Sequence, residues 1–340
     1  MLNEKATIYD IASDAGVSIA TVSRVLRGEP NVSAATREKV QRAIDRRNYR
    51  PSVIARGLTG KTTHSLGIIL PKLLNPHYAM IFTGAQEEAS ARGYALSLFP
   101  RSSLDTDAYD PATMLAERRL DGVIVCVEYL PADHDHKVRA ALEGLKRFMP
   151  VVLIGCVPPG YDFPAICNNN AAMTKEIVSY LVSLGHERIA LVGGIEGDTD
   201  PFRRDIGYIE GLREARLPFS DSYRVWGGGT PESGLAGLNG ILNNLKPSFW
   251  PTAVIALNDL VAMGCYSAAA GHGLTLPRDL SVIGCDNMVA APYLSPPLTT
   301  VDLHQRETGA QAVKMLLGEG SGRVDAPWDL IERSSCAACR

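Results

Sequence analysis

A set of helix start and stop signals is packed into one short span near the amino terminus: Thr7-Ile8-Tyr9-Asp10-Ile11-Ala12, Ala15-Gly16-Val17-Ser18 and Thr21-Val22-Ser23-Arg24-Val25. The Thr7 hydroxyl can take a free backbone N–H while Asp10, three residues on, reciprocates, and Ile8, Ile11, Ala12 and Ala15 share one apolar face. Gly16 tolerates the left-handed turn that stops this helix. Ser18 then caps a second helix from Ile19 to about Leu26, with Val22, Val25 and Leu26 facing inward and Ala20, Thr21, Ser23 and Arg24 on other faces. Ser33 caps a third, in which Val40, Ala43 and Ile44 are spaced to close a small core. A helix, a short turn with Gly and a second helix make the helix-turn-helix pattern, here a small all-α head.

Charge divides the chain at the same place. Residues 1–61 hold 11 Lys and Arg against 6 acids, a net +5, which leaves −8 for the remainder of a chain whose total is −3. A basic face attracts a phosphate backbone through counterion release, and an acidic body stays off the duplex. Thr7, Ser18, Thr21, Ser23 and Ser33 carry hydroxyls or helix-end amides suited to phosphates, which position a protein without specifying sequence. The second helix is expected in the major groove with its first turn meeting base edges; an Arg there can fork onto guanine O6 and N7, and Asn31 can reach a further base.

From Ser65 the pattern changes to short apolar runs alternating with helical stretches. Leu66–Leu70, Ala95–Phe99, Gly122–Val127 and Val151–Ile154 form one group of strands; Ile189–Val192, Tyr223–Trp226, Ala253–Ala256 and Ser281–Gly284 form another. Helices expected over Ala79–Arg92, Ala171–Leu184, Arg204–Ala215 and Asp259–Ala270 make the order βα repeated, hence an α/β body of two doubly wound parallel-sheet lobes. In such sheets ligands bind beyond the carboxyl ends of the strands, and a cleft between two lobes collects those ends from both.

Those ends carry polar residues that core packing does not require. Asn75-Pro76-His77-Tyr78 follows the first strand, Arg204 opens a helix after the fifth, Asn258-Asp259 follows the seventh and Asp286-Asn287 the eighth. Asp, Asn and Arg near an aromatic suit a polyol or sugar-like molecule, and Glu128, after the third strand, can add a carboxylate. Each also has a plainer role: Asn258 or Asp259 as a helix cap, Asp286 in a turn, Arg204 paired with Asp205 or Asp200.

The stretch Thr7 to Leu58 resembles the head and hinge of the lac repressor (LacI/GalR) family of bacterial transcription regulators. The resemblance continues through Ser183-Leu184-Gly185-His186-Glu187-Arg188-Ile189, Asn258-Asp259, Ser281-Val282-Ile283-Gly284-Cys285-Asp286 and Pro296-Pro297-Leu298-Thr299-Thr300-Val301, in family order. It implies a body like periplasmic sugar-binding proteins with a small-molecule effector in the cleft, and an operator-binding homodimer reading a pseudo-palindrome. It places Ile19, Ala20 and Arg24 at base-reading positions, Leu58 as a minor-groove wedge with Ala55 beside it, and Arg204, Asn258 and Asp286 on effector hydroxyls. Tyr78 matches an aromatic at the cleft, with Asn75 and His77 as further candidates. The sequence departs from the pattern at Gly229, where many members carry an aromatic, at Asn168 in place of an acid, and at Gly155-Cys156 in place of a polar pair. The implied effector is larger, charged or otherwise unlike a simple hexose.

The domain plan expected is 1–50 head, 51–63 hinge helix or linker, 64–335 body and 336–340 tail, with the lobes formed by 64–165 plus 298–320 and by 166–297 plus 321–335. The hinge is too short to be stably helical alone, so it should fold when DNA and a second copy support it. After Pro327 no leucine heptad follows, which favours a dimer over a tetramer.

Other function classes find little support. Gly60-Lys61-Thr62 lacks a Gly five positions earlier, where Ala55 stands, so the phosphate-loop spacing fails. His186-Glu187 has Ala190 where a second zinc His would be needed, and His134-Asp135-His136 lacks further ligands, so neither enzyme chemistry nor a metal or other cofactor is expected. No apolar run approaches the roughly 18 residues of a membrane span, and Met1-Leu2-Asn3-Glu4-Lys5 lacks an apolar signal segment, which points to the cytoplasm. Cys126, Cys156, Cys167, Cys265 and Cys285 read as reduced core residues, and Cys336 and Cys339 as part of a disordered tail. A solute-binding protein without regulatory role, and a purine- or nucleoside-responsive regulator, are the alternatives.

Overall fold

The computed structural model describes residues 6–26, 29–49, 62–100, 111–127, 132–155, 157, 160, 162–194 and 204–339. The chain separates into two units, Met1–His64 and Ser65–Arg340.

The head is three helices: α1 (Ile8–Ala15), α2 (Ile19–Leu26) and α3 (Ala34–Arg47). Thr7 and Asp10 form the capping box, with the Thr7 N–H donating to Asp10 Oδ2 at 2.7 Å and the Asp10 N–H to Thr7 Oγ1 at 3.4 Å. Those Thr7 hydrogen bonds hold the Asp10 carboxyl below its usual range. Gly16 ends α1 at φ 62°, in the left-handed region. Ser18 accepts the Thr21 N–H and Ser33 accepts the Thr36 N–H. Ile11, Val22, Val40 and Ala43 meet in a fully buried core, and Arg47 forks onto Asp14 at 2.7 and 2.8 Å.

The body holds two parallel sheets. The first has six strands in the order β11-β5-β4-β3-β1-β2, built from β1 (Ser65–Leu70), β2 (Ala95–Pro100), β3 (Gly122–Val127), β4 (Val151–Gly155), β5 (Ala165–Cys167) and β11 (Arg323–Asp325). The second runs β7-β6-β8-β9, from β6 (Ile189–Val192), β7 (Arg224–Val225), β8 (Ala253–Ala256) and β9 (Ser281–Ile283). Every pairing in both is parallel, and β3, buried along its whole length, is the continuous apolar run that a sheet covered on both faces requires. In chain order the covering helices are α4 (Pro76–Ala91), α5 (Pro111–Glu117), α6 (Ala132–Lys146), α7 (Asn170–Ser183), α8 (Arg204–Glu214), α9 (Pro231–Asn244), α10 (Asp259–Gly271) and α11 (Gln305–Leu316). A two-stranded antiparallel ladder, β10 (Thr300–Asp302) with β12 (Asp329–Ile331), packs against the second sheet, with Val301 and Leu330 joining the core around Leu191 and Ile255.

Two expectations are corrected. Ala165–Cys167 and Arg323–Asp325 join the first sheet, so the expected boundaries at 166 and 321 assign β11 and most of β5 to the wrong lobe. Both are three-residue strands, and Arg323-Val324-Asp325 is an exposed edge without an apolar signature. The tail is also ordered. Ser335 O accepts the Val282 N–H at 2.9 Å, the Ala337 N–H donates to Ser281 Oγ at 3.1 Å, and the Cys339 N–H to Leu184 O at 2.7 Å. The first two bonds lie along the outer edge of β9, whose backbone groups need partners, and the third ties the tail to the carboxyl end of α7.

Cys126, Cys265 and Cys285 are buried free thiols, and burial pushes Cys265 and Cys285 up to about 12. Cys167 is half-buried, and Cys156 lies outside the described residues.

Candidate functional sites

On the head, Thr7, Ser18, Ile19, Ala20, Arg24, Asn31 and Ser33 are exposed, and Thr21 and Ser23 half-buried. Ile19 leaves 40 % of its surface open although it is apolar, because α2 turns only Val22 and Val25 fully inward. Ser18 and Thr21 also pair through their hydroxyls at 2.9 Å, which fixes the start of α2. Sequence reasoning passed over Tyr9, an aromatic 68 % exposed on α1; its place opposite the apolar face of that helix was the available signal. Ala55, Leu58 and the hinge span 51–61 lie outside the described residues, as does Glu128.

In the body, Asn75, His77, Tyr78, Arg204, Asn258 and Asp286 line one cavity of about 710 Å³ between the two lobes. Asn75 caps α4, its Oδ1 accepting the His77 N–H at 3.0 Å, and Tyr78 follows, buried and edge-on to the His77 ring at 5.0 Å. These come from the first lobe. From the second, Arg204 places Nε and Nη2 each 3.4 Å from Asn170 Oδ1, while Asp205 lies 3.6 Å from Arg224. Asn258 both caps and reaches: Oδ1 accepts the Val261 N–H at 2.8 Å and Nδ2 donates to Gly229 O at 3.1 Å. The capping role and the place in the cavity wall therefore coexist.

Asp286 is presented by strained backbone. Its φ is 114°, a region that side-chain-bearing residues seldom adopt and that costs on the order of 1–3 kcal/mol. The turn is held because the Asp286 N–H donates to Val301 O at 2.9 Å and Gln305 Nε2 donates to the Asp286 carbonyl at 2.6 Å. Beneath it Asp259 accepts from the Thr300 hydroxyl at 2.5 Å and the Met288 N–H at 2.8 Å. Burial first and the Asp286 charge second push the Asp259 carboxyl up to about 7.

Asn170, Lys72, Thr230 and Glu232 also line the cavity and were not singled out as ligand residues in the sequence. The run Asn168-Asn169-Asn170 was a signal for the first, hidden because β5 before it is so short. Gly228 and Gly229 leave that wall without a side chain; a Cβ at Gly229 would lie 3.1 Å from Asn258 Nδ2.

Residues 7–52 match the model for bacterial regulatory proteins of the lacI family, and 178–336 match a periplasmic binding protein-like domain. Catabolite control protein A of Priestia megaterium is 32 % identical over 311 residues, 91 % of each chain. The chain belongs to the LacI family. The HTH-type transcriptional repressor PurR of Histophilus somni (strain 129Pt) is 35 % identical over 312 residues, 92 % of this chain and 91 % of that one. Among solved structures, the lac repressor dimer bound to operator and the anti-inducer ONPF superposes with a TM-score of 0.86 at 28 % identity, covering 98 % of this chain and all of the other. A transcriptional regulator CelR-cellobiose complex matches at TM-score 0.69 and 26 % identity over 97 % of this chain and 100 % of that one. This LacI-family protein is thus a DNA-binding transcriptional regulator with a small helical head and a two-lobed effector-binding body. Among the described residues no helix is long and apolar enough to cross a membrane.

Proposed function

We propose that this LacI-family protein represses transcription as a cytoplasmic homodimer whose operator affinity is set by a carbohydrate derivative, larger than a simple hexose, bound between the lobes. The observation that carries this reading is the convergence of Arg204, Asn258 and Asp286 with Asn75, His77 and Tyr78 on one cavity of about 710 Å³. A carboxylate, a guanidinium and two carboxamides suit several hydroxyl groups at once, and Gly228-Gly229 gives room for a second ring or a charged substituent. On the head, Ile19 and Ala20 meet base edges by apolar contact, Arg24 forks onto guanine, and Thr7, Ser18, Thr21, Ser23, Asn31 and Ser33 hold the backbone or a further base. The hinge, with Ala55 and Leu58, carries the change in lobe angle to the DNA; a coupling of about 1–3 kcal/mol changes operator affinity roughly 5- to 150-fold.

A purine or nucleoside is the second reading. Its support is the wall formed by Tyr78 and the His77 ring with Leu257 and Leu260 in the same cavity, which suits a flat heterocycle. A thermal-stability screen of the purified protein against sugars, sugar acids, sugar phosphates and nucleobases separates the two, followed by DNA binding with each stabilising compound. A nucleobase that stabilises the protein while no sugar derivative does would overturn the first reading.

A further inference from the structure

Two side chains of the first lobe reach Asp286 across the cleft. His77 Nδ1 lies 3.2 Å from Asp286 Oδ1, with side chains only 15 % and 9 % exposed. The contact lacks hydrogen-bond alignment, so Nδ1 is a buried nitrogen without a hydrogen-bond partner. Leaving such an atom unpaired is costly, and either a small lobe movement or an inserted hydroxyl satisfies it. Gln305, nearly fully buried at the first position of α11, holds the backbone of the same residue by donating to its carbonyl.

The helices carrying these two side chains form one block. A Cβ on Gly84 of α4 would lie 1.9 Å from Arg306 O, and one on Gly309 of α11 would lie 2.0 Å from Ile81 O, so the two backbones touch. Interiors packed this closely move as units. Asp286 is therefore keyed, through its carboxylate and its carbonyl, to a single rigid helix pair of the opposite lobe.

We infer that His77 and Gln305 are positioning residues for the Asp286 carboxylate, so that Asp286 registers lobe closure as well as ligand. The inference rests on the reading of Asp286 as an effector contact. A ligand hydroxyl that donates to Asp286 and accepts from His77 completes the unaligned pair, and the α4–α11 block then follows the ligand. Without ligand the Gln305 bond to the Asp286 carbonyl fixes the separation of the lobes at this point, and the packed His77 ring 3.2 Å from the carboxylate limits how far it can vary.

The test uses the full-length protein without effector. Spin labels on p-acetylphenylalanine at positions 74 and 232, at the cleft mouth on opposite lobes, leave the native cysteines unlabelled; dilution with unlabelled protein isolates the distance within one chain. Wild type should give one narrow distance. His77→Phe and Gln305→Met should broaden it and lengthen it by several ångström, whereas His77→Asn, whose Nδ2 takes the place of Nδ1, should restore it. An unchanged distribution in both His77→Phe and Gln305→Met, with circular dichroism showing folded protein, overturns the inference. The outcome is independent of the effector reading: a distance shift in a protein that binds no screened compound supports the positioning role and counts against that reading. A bound compound with no distance shift does the reverse.

Discussion

Replacing Asp259 by Asn should remove a pH dependence from the stability of the body. Asp259 is 1 % exposed, and its carboxyl is raised from the ordinary 3.8 to about 7, first by burial and then by the Asp286 charge. In the unfolded chain the group ionises near the ordinary value, so between pH 4 and 7, roughly, the folded state binds the extra proton. Stability therefore falls as pH rises through that window and levels off above it. At about 1.4 kcal/mol per pH unit the difference amounts to about 4 kcal/mol, with little solvent screening to reduce it. Asn keeps the shape: its Oδ1 can accept the Met288 N–H and its amide can donate to the Thr300 hydroxyl. All three tryptophans, 226, 250 and 328, belong to the body, so urea unfolding followed by their fluorescence reports that unit. The variant should be more stable than wild type at pH 7.5 and nearly equal to it at pH 4.5. Parallel curves for the two proteins across the window would refute the assignment of a neutral, buried Asp259.

Further outcomes follow from the sites. Arg24→Ala should weaken binding to a selected operator by about 1–3 kcal/mol while leaving nonspecific DNA binding nearly unchanged, measured by titration at fixed salt; equal losses on both DNAs contradict base reading by this side chain. Asn258→Ala removes a helix cap and the bond to Gly229 O, and should lower body stability by about 1 kcal/mol in the same fluorescence assay, with no change counting against the capping role. Gly229→Leu fills the open wall beside Asn258 and should abolish stabilisation by any large compound found in the screen while head-mediated DNA binding persists. Asp286→Ala should eliminate the effector response of operator binding; a normal response would remove Asp286 from the site.

Much of this was legible because it is local. The head is specified by hydroxyls three residues ahead of their amide partners and by a glycine at a left-handed turn, all within single turns of helix, and Thr7, Gly16, Ser18 and Ser33 do what their spacing predicts. The eight strands announced by apolar runs are all present; the inner ones, such as β3, β6 and β8, are buried on both faces and demand such runs, whereas β2 and β7 at the sheet edges are not buried. What escaped notice is held together by long-range backbone pairing: β11 is polar, and the tail looks disordered until β9 offers its edge. Periodicity carries no information about a three-residue strand whose partner is 158 positions away, as Arg323 is from Ala165.

The cleft's candidate residues show why single roles were hard to assign from the sequence. Asn75 and Asn258 are helix caps, Asp259 opens α10 and Asp286 closes β9, so their spacing is explained without any ligand. Parallel strands end where the following helices begin, so the residues that satisfy helix termini are the ones a cleft between two sheets collects. A cap, however, uses part of a carboxamide and leaves the rest: Asn258 engages one oxygen and one amide hydrogen in its own lobe and still faces the cavity. Asp286 goes further than any cap requires, since its φ of 114° is stabilised by contacts from Val301 and Gln305 and serves no helix start. Strain that local structure does not need is the feature that separates it from the capping residues around it.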